Sequence, residues 1–435
     1  MNNFGPRFGF ALALTSDGKT ALRGGYGLYY ARISNSTISS AITNTGTELA
    51  QRSYTYKACY LFAKNCLEGP IFPNIYPASA DPYSAVQGGN VAVFAPNMQT
   101  PKIQQADLIL ERQIARNTII SASYLLSLGR ELPNFVDVNL DPASRQNVTY
   151  TFASDFYGGA PGPYNGHTLT VPVYTARLNP SFQTITQIRS NVNSSYNALV
   201  LQFNRTSAKG LGFKLSYTWS HAIDDGQNST TFTQYNNTLS PIPFTYQFDG
   251  VSHLVKRPDY GNSNYDIRQR LVASLFWSPR LFRHSHGFLH DALDHWSLAP
   301  IVQISTGKPF SDNVSGDAPI PTLTQPACAG CLGFMGTGGQ NRLPFLGRNS
   351  FRYGNVYNTD LRLSRRIYFG EGRDLEFLAE AFNLFNHQIV TSRDRTLYTV
   401  YDYKLEYDSK FGTPTAAANT IYREREIQLG LRYHF

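Results

Sequence analysis

Apolar and polar side chains alternate with a period of two in short stretches along the whole chain. Successive side chains of a strand point to opposite faces, so this pattern predicts strands with one oily and one wet face. The clearest case is the last nine residues. Ile427, Leu429, Leu431, Tyr433 and Phe435 alternate there with Gln428, Gly430, Arg432 and His434. A strand of about ten such residues spans a bilayer with lipid on one side and water on the other.

The same unit, strand then tight turn then strand, recurs. Phe8, Phe10 and Leu12 share a face, an Asp17-Gly18 turn follows, and Leu22, Tyr26, Leu28 and Tyr30 share a face on the return. Gly24, Gly25 and Gly27 in that return suit a curved sheet. Further pairs are expected over 101–128, 195–220, 273–304 and 357–381. With the last strand they make about eleven. Short turns join the members of each pair. Long segments (31–99, 129–194, 223–262, 311–354 and 388–423) join one pair to the next and are rich in Asn, Ser, Thr, Tyr, Pro and Gly. This sorting predicts an antiparallel transmembrane β-barrel wall with short periplasmic turns and long extracellular loops. A soluble β-sandwich rarely sorts its connections so.

Composition agrees. Only 16% of the 435 residues are charged, while 28 Tyr and 28 Phe bring aromatics to 14%. Mean hydropathy is −0.30 and no apolar run is long enough for a membrane helix. The net charge of +8 is scattered rather than blocked, and no basic helix or aromatic RNA signature points to nucleic acid. Phe8 to Leu14 carries a short Ala-Leu-Ala stretch but no basic leader, so it reads as a strand and not as a signal peptide.

Candidate chemistry is sparse, and no catalytic constellation, metal site or cofactor motif is expected. Cys59/Cys66 and Cys328/Cys331 form two close pairs in loops and read as small disulfides. His221 with Asp224 and Asp225 reads as a polar rim rather than an acid/base site. His284, His286, His290 and His295 read as spaced polar residues of one turn. Lys214, Arg268, Arg270, Asp360, Arg362, Glu376 and Glu380 fall on the inward register, where they either contact a plug or solute or brace a wet lumen.

Several ordered stretches resemble TonB-dependent receptors, specifically the Oar-like group. They include Asn2 to Phe10, Asp17 to Gly27, Ser216 to Asp225 (SYTWSHAIDD), Tyr265 to Leu271 (YDIRQRL), Ala379 to His387 (AEAFNLFNH) and the C-terminal Leu429 to Phe435. The resemblance spans the chain and implies a location in the outer membrane of a Gram-negative-type bacterium. It also implies uptake of a large or scarce solute rather than enzymatic activity. Family barrels have 22 strands, an N-terminal plug and a TonB box. Residues 1–435 are therefore expected to be the C-terminal half of a barrel, lacking plug, TonB box and signal peptide. Expected partners are outer-membrane lipid and lipopolysaccharide, the missing barrel half and plug, TonB through that missing part, the outer-membrane assembly machinery and an unidentified solute. Ile427, Leu429, Leu431, Tyr433 and Phe435 would be the C-terminal assembly signal. Carbohydrate or peptide oligomers fit the Tyr- and Asn-rich loops, and siderophores fit equally. The rival expectation is an adhesive or structural surface barrel.

Overall fold

The computed structural model describes residues 3–45, 90–155, 159, 161–208, 210–226, 243–279, 294–320, 331–338, 341–369, 372–417 and 423–435. Eleven strands form an antiparallel wall in chain order: β1 (Arg7–Ala13), β2 (Thr20–Tyr30), β3 (Lys102–Ala115), β4 (Thr118–Asp137), β5 (Ile185–Ala208), β6 (Leu211–Asp224), β7 (Gln269–Trp277), β8 (Trp296–Ser305), β9 (Val356–Tyr368), β10 (Asp374–Phe382) and β11 (Glu426–His434). Each pairs with its sequence neighbours, and two short strands, Val91–Phe94 and Gly261–Asn262, join at the margins. Among the described residues β1 and β11 are each paired on one side only. The strand count and the alternation of short and long connections agree with the sequence pattern.

Register makes the apolar face continuous. Leu110 lies opposite Ala122, which lies opposite Leu201; the row continues through Tyr217, Leu271, Ile304 and Tyr357. Leu108, Leu110, Tyr124, Leu201, Leu215, Trp219, Phe377 and Leu429 are all exposed. No protein layer covers this face among the described residues. Such a sheet is stable only in a solvent of hydrocarbon. The glycines of β2 make room for rings: at Gly24 a Cβ would lie 2.7 Å from the ring of Phe10, its cross-strand neighbour.

The strand ends differ from the sequence expectation. β4 and β5 continue well past Gly129 and Ser194, and stay paired to Asp137 and Thr186. A register shift lies between Gly129 and Pro133, where Glu131 adopts φ 56° and accepts from Lys102 Nζ at 2.8 Å. Beyond this bulge Leu132, Phe135, Val136, Ile188 and Val192 are buried. The bulge thus marks where the hairpin leaves the lipid-facing wall and enters the loop layer.

The long connections also contain a second sheet, which the reading of them as irregular polar loops did not anticipate. Its seven strands run in the order Val251–Val255, Phe244–Phe248, Thr168–Val173, Gln146–Ala153, Lys404–Tyr407, Thr396–Tyr401 and Asn313–Ser315. Two of its pairings, of Lys404–Tyr407 with Gln146–Ala153 and of Asn313–Ser315 with Thr396–Tyr401, are parallel and join different loops. The main hydrophobic cluster lies on this cap: Tyr150, Phe152, Leu169, Val171, Phe334, Met335, Leu343, Tyr398 and Leu405 are all fully buried. None of its members comes from the eleven wall strands. The physical reason is that lipid satisfies the wall, whereas loops in water must bury their own apolar surface.

Cys331 is buried in this cap core and disulfide-bonded. Cys59, Cys66 and Cys328 lie outside the described residues, as do His284, His286 and His290. His295 is described, adopts φ 68° and packs edge-on against Tyr368.

Candidate functional site: the polar face of the wall and its rim

Alternation places Lys214, Arg270, Asp360, Arg362, Glu376 and Glu380 on the face opposite the apolar row. Of these, Arg362, Glu376 and Glu380 enter cross-strand pairs over the last three strands. Arg362 reaches Glu380 at 3.8 Å, and Arg366 Nε reaches Glu376 at 3.6 Å. Arg432 approaches the same Glu376 at 3.4 Å, and His434 approaches Asp374 at 3.2 Å. Glu376 is buried between its two arginines, while the arginines remain half exposed. Opposite charges directly across a sheet support the pairing by about 0.2–1 kcal/mol each.

A pocket of about 740 Å³ lies on this face, lined among others by Lys214, Ser274, Asp360, Arg362, Glu380 and Phe276. A second, of about 490 Å³, shares Arg362 and Phe276 and continues past Arg366, Glu376 and Tyr368. Together they form a track with both charge signs and, at Phe276 and Tyr368, aromatic edges. Lys214 makes no ion pair among the described residues. No group of three or more His, Cys, Asp or Glu placed to hold a metal occurs among the described residues.

Arg268 is different. It precedes β7 and belongs to a knot at the long-loop end of the wall. The carboxylate of Asp266, fully buried, accepts from Ala222 N at 2.8 Å, from Arg268 Nε at 2.8 Å and from Arg352, and contacts His221 Nδ1 at 3.1 Å. Burial pushes the Asp266 carboxyl up, but these donors outweigh it and hold it below the usual carboxylate range. His221 therefore pairs with Asp266 rather than with Asp224 or Asp225. Asp225 is bound by Arg257, and Asp224 by the buried Arg348. The polar rim expected at His221, Asp224 and Asp225 is present.

Sequence reading missed the partners of that rim: Arg342, Arg348, Asn349 and Arg352, all from the 311–354 segment. Asn349, at φ 57°, donates to Asn262 O and Asn264 Oδ1, both at 2.7 Å. Gly261 permits this contact, because a Cβ there would lie 2.6 Å from Arg348 O. A signal did exist: three arginines in a segment otherwise rich in Gly, Pro and Asn require acids somewhere.

The AFNLFNH stretch closes a third rim knot. Asn383, at φ 47°, takes a bond from His387 N and donates Nδ2 to His387 O and Arg423 O; its N–H reaches Asp360. It thereby ties the end of β10 to β9 and to the entry of β11. Ile427, Leu429, Leu431, Tyr433 and Phe435 are each more than half exposed on β11 and just beyond it.

An all-β wall with one lipid-facing side, one charged side and a capped loop end defines an outer-membrane β-barrel protein. The profile of the outer membrane beta barrel domain family matches residues 1–428, and the chain belongs to that family. No curated protein matches the sequence. Among solved structures, the outer membrane transporter YddB of Escherichia coli matches with a TM-score of 0.52 at 10% identity, covering 100% of this chain and 41% of that one. The FrpB iron transporter of Neisseria meningitidis matches at 0.42 and 9%, covering 100% and 38%. The ferric enterobactin receptor of Pseudomonas aeruginosa matches at 0.42 and 14%, covering 100% and 41%. The likeness is one of fold, and the chain spans about two fifths of the length of these structures.

Proposed function

We propose that this chain forms part of the wall of a TonB-dependent receptor that imports a large or scarce solute across the outer membrane, in the Oar-like group. The observation that carries the reading is the charged track on the polar face. Lys214, Arg362 and Glu380 line one pocket, and Arg366 and Glu376 continue it. A wall that only anchored a surface adhesin would need no such pockets along its inner register. The fold likeness to an outer membrane transporter supports the same class. On this reading Lys214, Arg270, Asp360, Arg362, Glu376 and Glu380 face the lumen, and the cap faces the medium. TonB acts through a plug carried outside residues 1–435. Ile427 to Phe435 addresses the assembly machinery, and lipid and lipopolysaccharide surround the apolar row. Carbohydrate or peptide oligomers suit the Tyr- and Asn-rich loops, and siderophores fit them equally.

The test is uptake by cells carrying or lacking the coding region. Labelled maltodextrins, labelled peptide oligomers and a ferric siderophore are offered with and without a protonophore. Loss of energy-dependent uptake of one class on deletion, and in a Lys214→Ala/Arg362→Ala variant that still assembles, supports the proposal. Unchanged uptake of all three would favour a second reading, a surface receptor or adhesin. The folded cap, a seven-stranded sheet with its own core, is the observation in that reading's favour.

A further inference from the structure

The 311–354 segment lies between the cap and the rim. Leu343 is buried in the cap core, while its neighbour Arg342, equally buried, turns to the rim and donates to Asp259 Oδ1 at 3.1 Å and to Pro258 O. Leu343 N donates to Asp312 Oδ2 at 2.8 Å. The other oxygen of Asp312 is buried with no hydrogen-bond partner. Arg348 binds Asp224 and reaches Asp259 O at 3.3 Å. Three carboxylates (Asp224, Asp259, Asp312) thus share two guanidiniums (Arg342, Arg348) in a water-poor junction. The neighbouring cations, Arg268 and Arg352, are committed to Asp266, and Arg257 to Asp225. Tyr164 also faces Asp312 and supplies no positive charge.

Asp312 makes no ion pair among the described residues, and a buried carboxylate with an orphaned oxygen is costly while it stays ionised. A proton removes that cost and turns the orphaned acceptor into a donor. We propose that the Asp259–Arg342–Asp312 cluster is a proton-operated latch that holds the cap on the wall more tightly as the medium acidifies. The electrostatics run the same way. Burial pushes the Asp312 carboxyl up to about 6, against the pull of the Leu343 N–H and Arg342. Burial also raises Asp259, against Arg342.

The sign follows from linkage. An acid whose folded pKa is raised stabilises the docked form when protonated, so docking weakens as pH rises from the ordinary carboxylate value of 3.8 to about 6 and is level above that. Between pH 5 and pH 8 the opening equilibrium of the junction should rise about tenfold. Hydrogen exchange of amides 341–349, corrected for intrinsic rate, reads this in the full chain held in lipid vesicles. The wild type should show the tenfold rise. Asp312→Asn combined with Asp259→Asn removes both raised carboxyls, so this variant should be flat between pH 5 and pH 8. A flat wild type, or a variant that keeps the slope, would overturn the proposal. If the variant does not assemble, infrared titration of the wild type decides. A protonated carboxyl band with a midpoint near 6 is expected, and its absence above pH 5 sinks the latch.

Discussion

Replacing Leu201 by Arg tests the assignment of the apolar face to lipid. Leu201 lies in the wall-forming part of β5, which pairs with β6 from Ser194 to Arg205. A strand rises about 3.3 Å per residue and tilts about 40° in such walls, so each residue advances about 2.5 Å along the membrane normal. Leu201 is less than two residues from the middle of that span, which puts it about 4 Å from the midplane. An arginine there should cost about 2–4 kcal/mol, roughly a 30- to 1,000-fold loss in the folding equilibrium. The control is its neighbour. Gln202 points to the polar face, takes a bond from Ser121 Oγ at 3.3 Å and lies opposite Ser216. Gln202→Arg should change stability by less than about 0.5 kcal/mol, as for an ordinary wetted position. Urea titration of the heat-modifiable folded band in lipid vesicles measures both. Equal costs at 201 and 202, or a larger cost at 202, would refute the assignment of faces. Partition of the chain into the aqueous phase without detergent would do the same.

Phe152→Ala should cost the cap about 3–5 kcal/mol, since its ring meets Tyr164, Phe248, Phe345 and Tyr398. Exchange of 146–173 should rise while 118–128 stays protected; collapse of both would show that cap and wall are one unit. Asp266→Ala strands two guanidiniums and the Ala222 N–H. Because Arg268 and Arg352 are partly exposed, the loss should be near 2–3 kcal/mol, read as faster exchange of 262–268. The wild-type knot has the opposite pH sense to the latch. With the Asp266 carboxyl held below its ordinary 3.8, the contribution is full above that value and fades as pH falls below it; exchange of 262–268 that instead slows below pH 3.8 would contradict this. Deleting Phe435, which lies beyond the last cross-strand pair and is 96% exposed, should lower the amount assembled in the membrane without moving the urea midpoint of what does assemble.

The wall was legible because its periodicity is local. Leu199, Leu201 and Phe203 against Val200, Gln202 and Asn204 need only the alternation of a strand, and four of the five hairpin turns have six residues or fewer, 278–295 being the exception. The same alternation was present in the cap. Val148, Tyr150 and Phe152 alternate with Asn147, Thr149 and Thr151, and Phe244, Tyr246 and Phe248 with Thr245 and Gln247. They lie in long connections rich in turn formers, a context that reads as loop. A dyad pattern says that one face is dry, not whether lipid or protein dries it. The parallel pairing of 404–406 with 151–153 joins residues about 250 apart, which no local pattern encodes. The rim was half legible. Acids at 224, 225 and 266 stand beside strand ends, and Arg268 and Arg257 reach 266 and 225 from 2 and 32 residues away, but Arg352 and Arg348 arrive at 266 and 224 from 86 and 124 residues away.

The chemistry of the junction follows from the two solvents that meet there. Cap and wall are dried by different media, protein on one side and hydrocarbon on the other. An apolar contact between them would lie at the rim, where acyl chains compete for the same surface, and it would fix no register. Ion pairs and amide bonds have no such competitor, since lipid offers no partner for a guanidinium. Arg348 on Asp224, Arg352 on Asp266 and Asn349 on Asn262 are directional, and each fixes one residue of the 311–354 segment against one residue of the wall. Charged attachment brings titration with it. A junction built from buried carboxylates answers to protons, and its members answer with opposite signs according to whether donors outnumber them, as at Asp266, or fall short, as at Asp312. Cap docking should therefore be tightest between the two windows, near the ordinary carboxylate range, and loosen on either side.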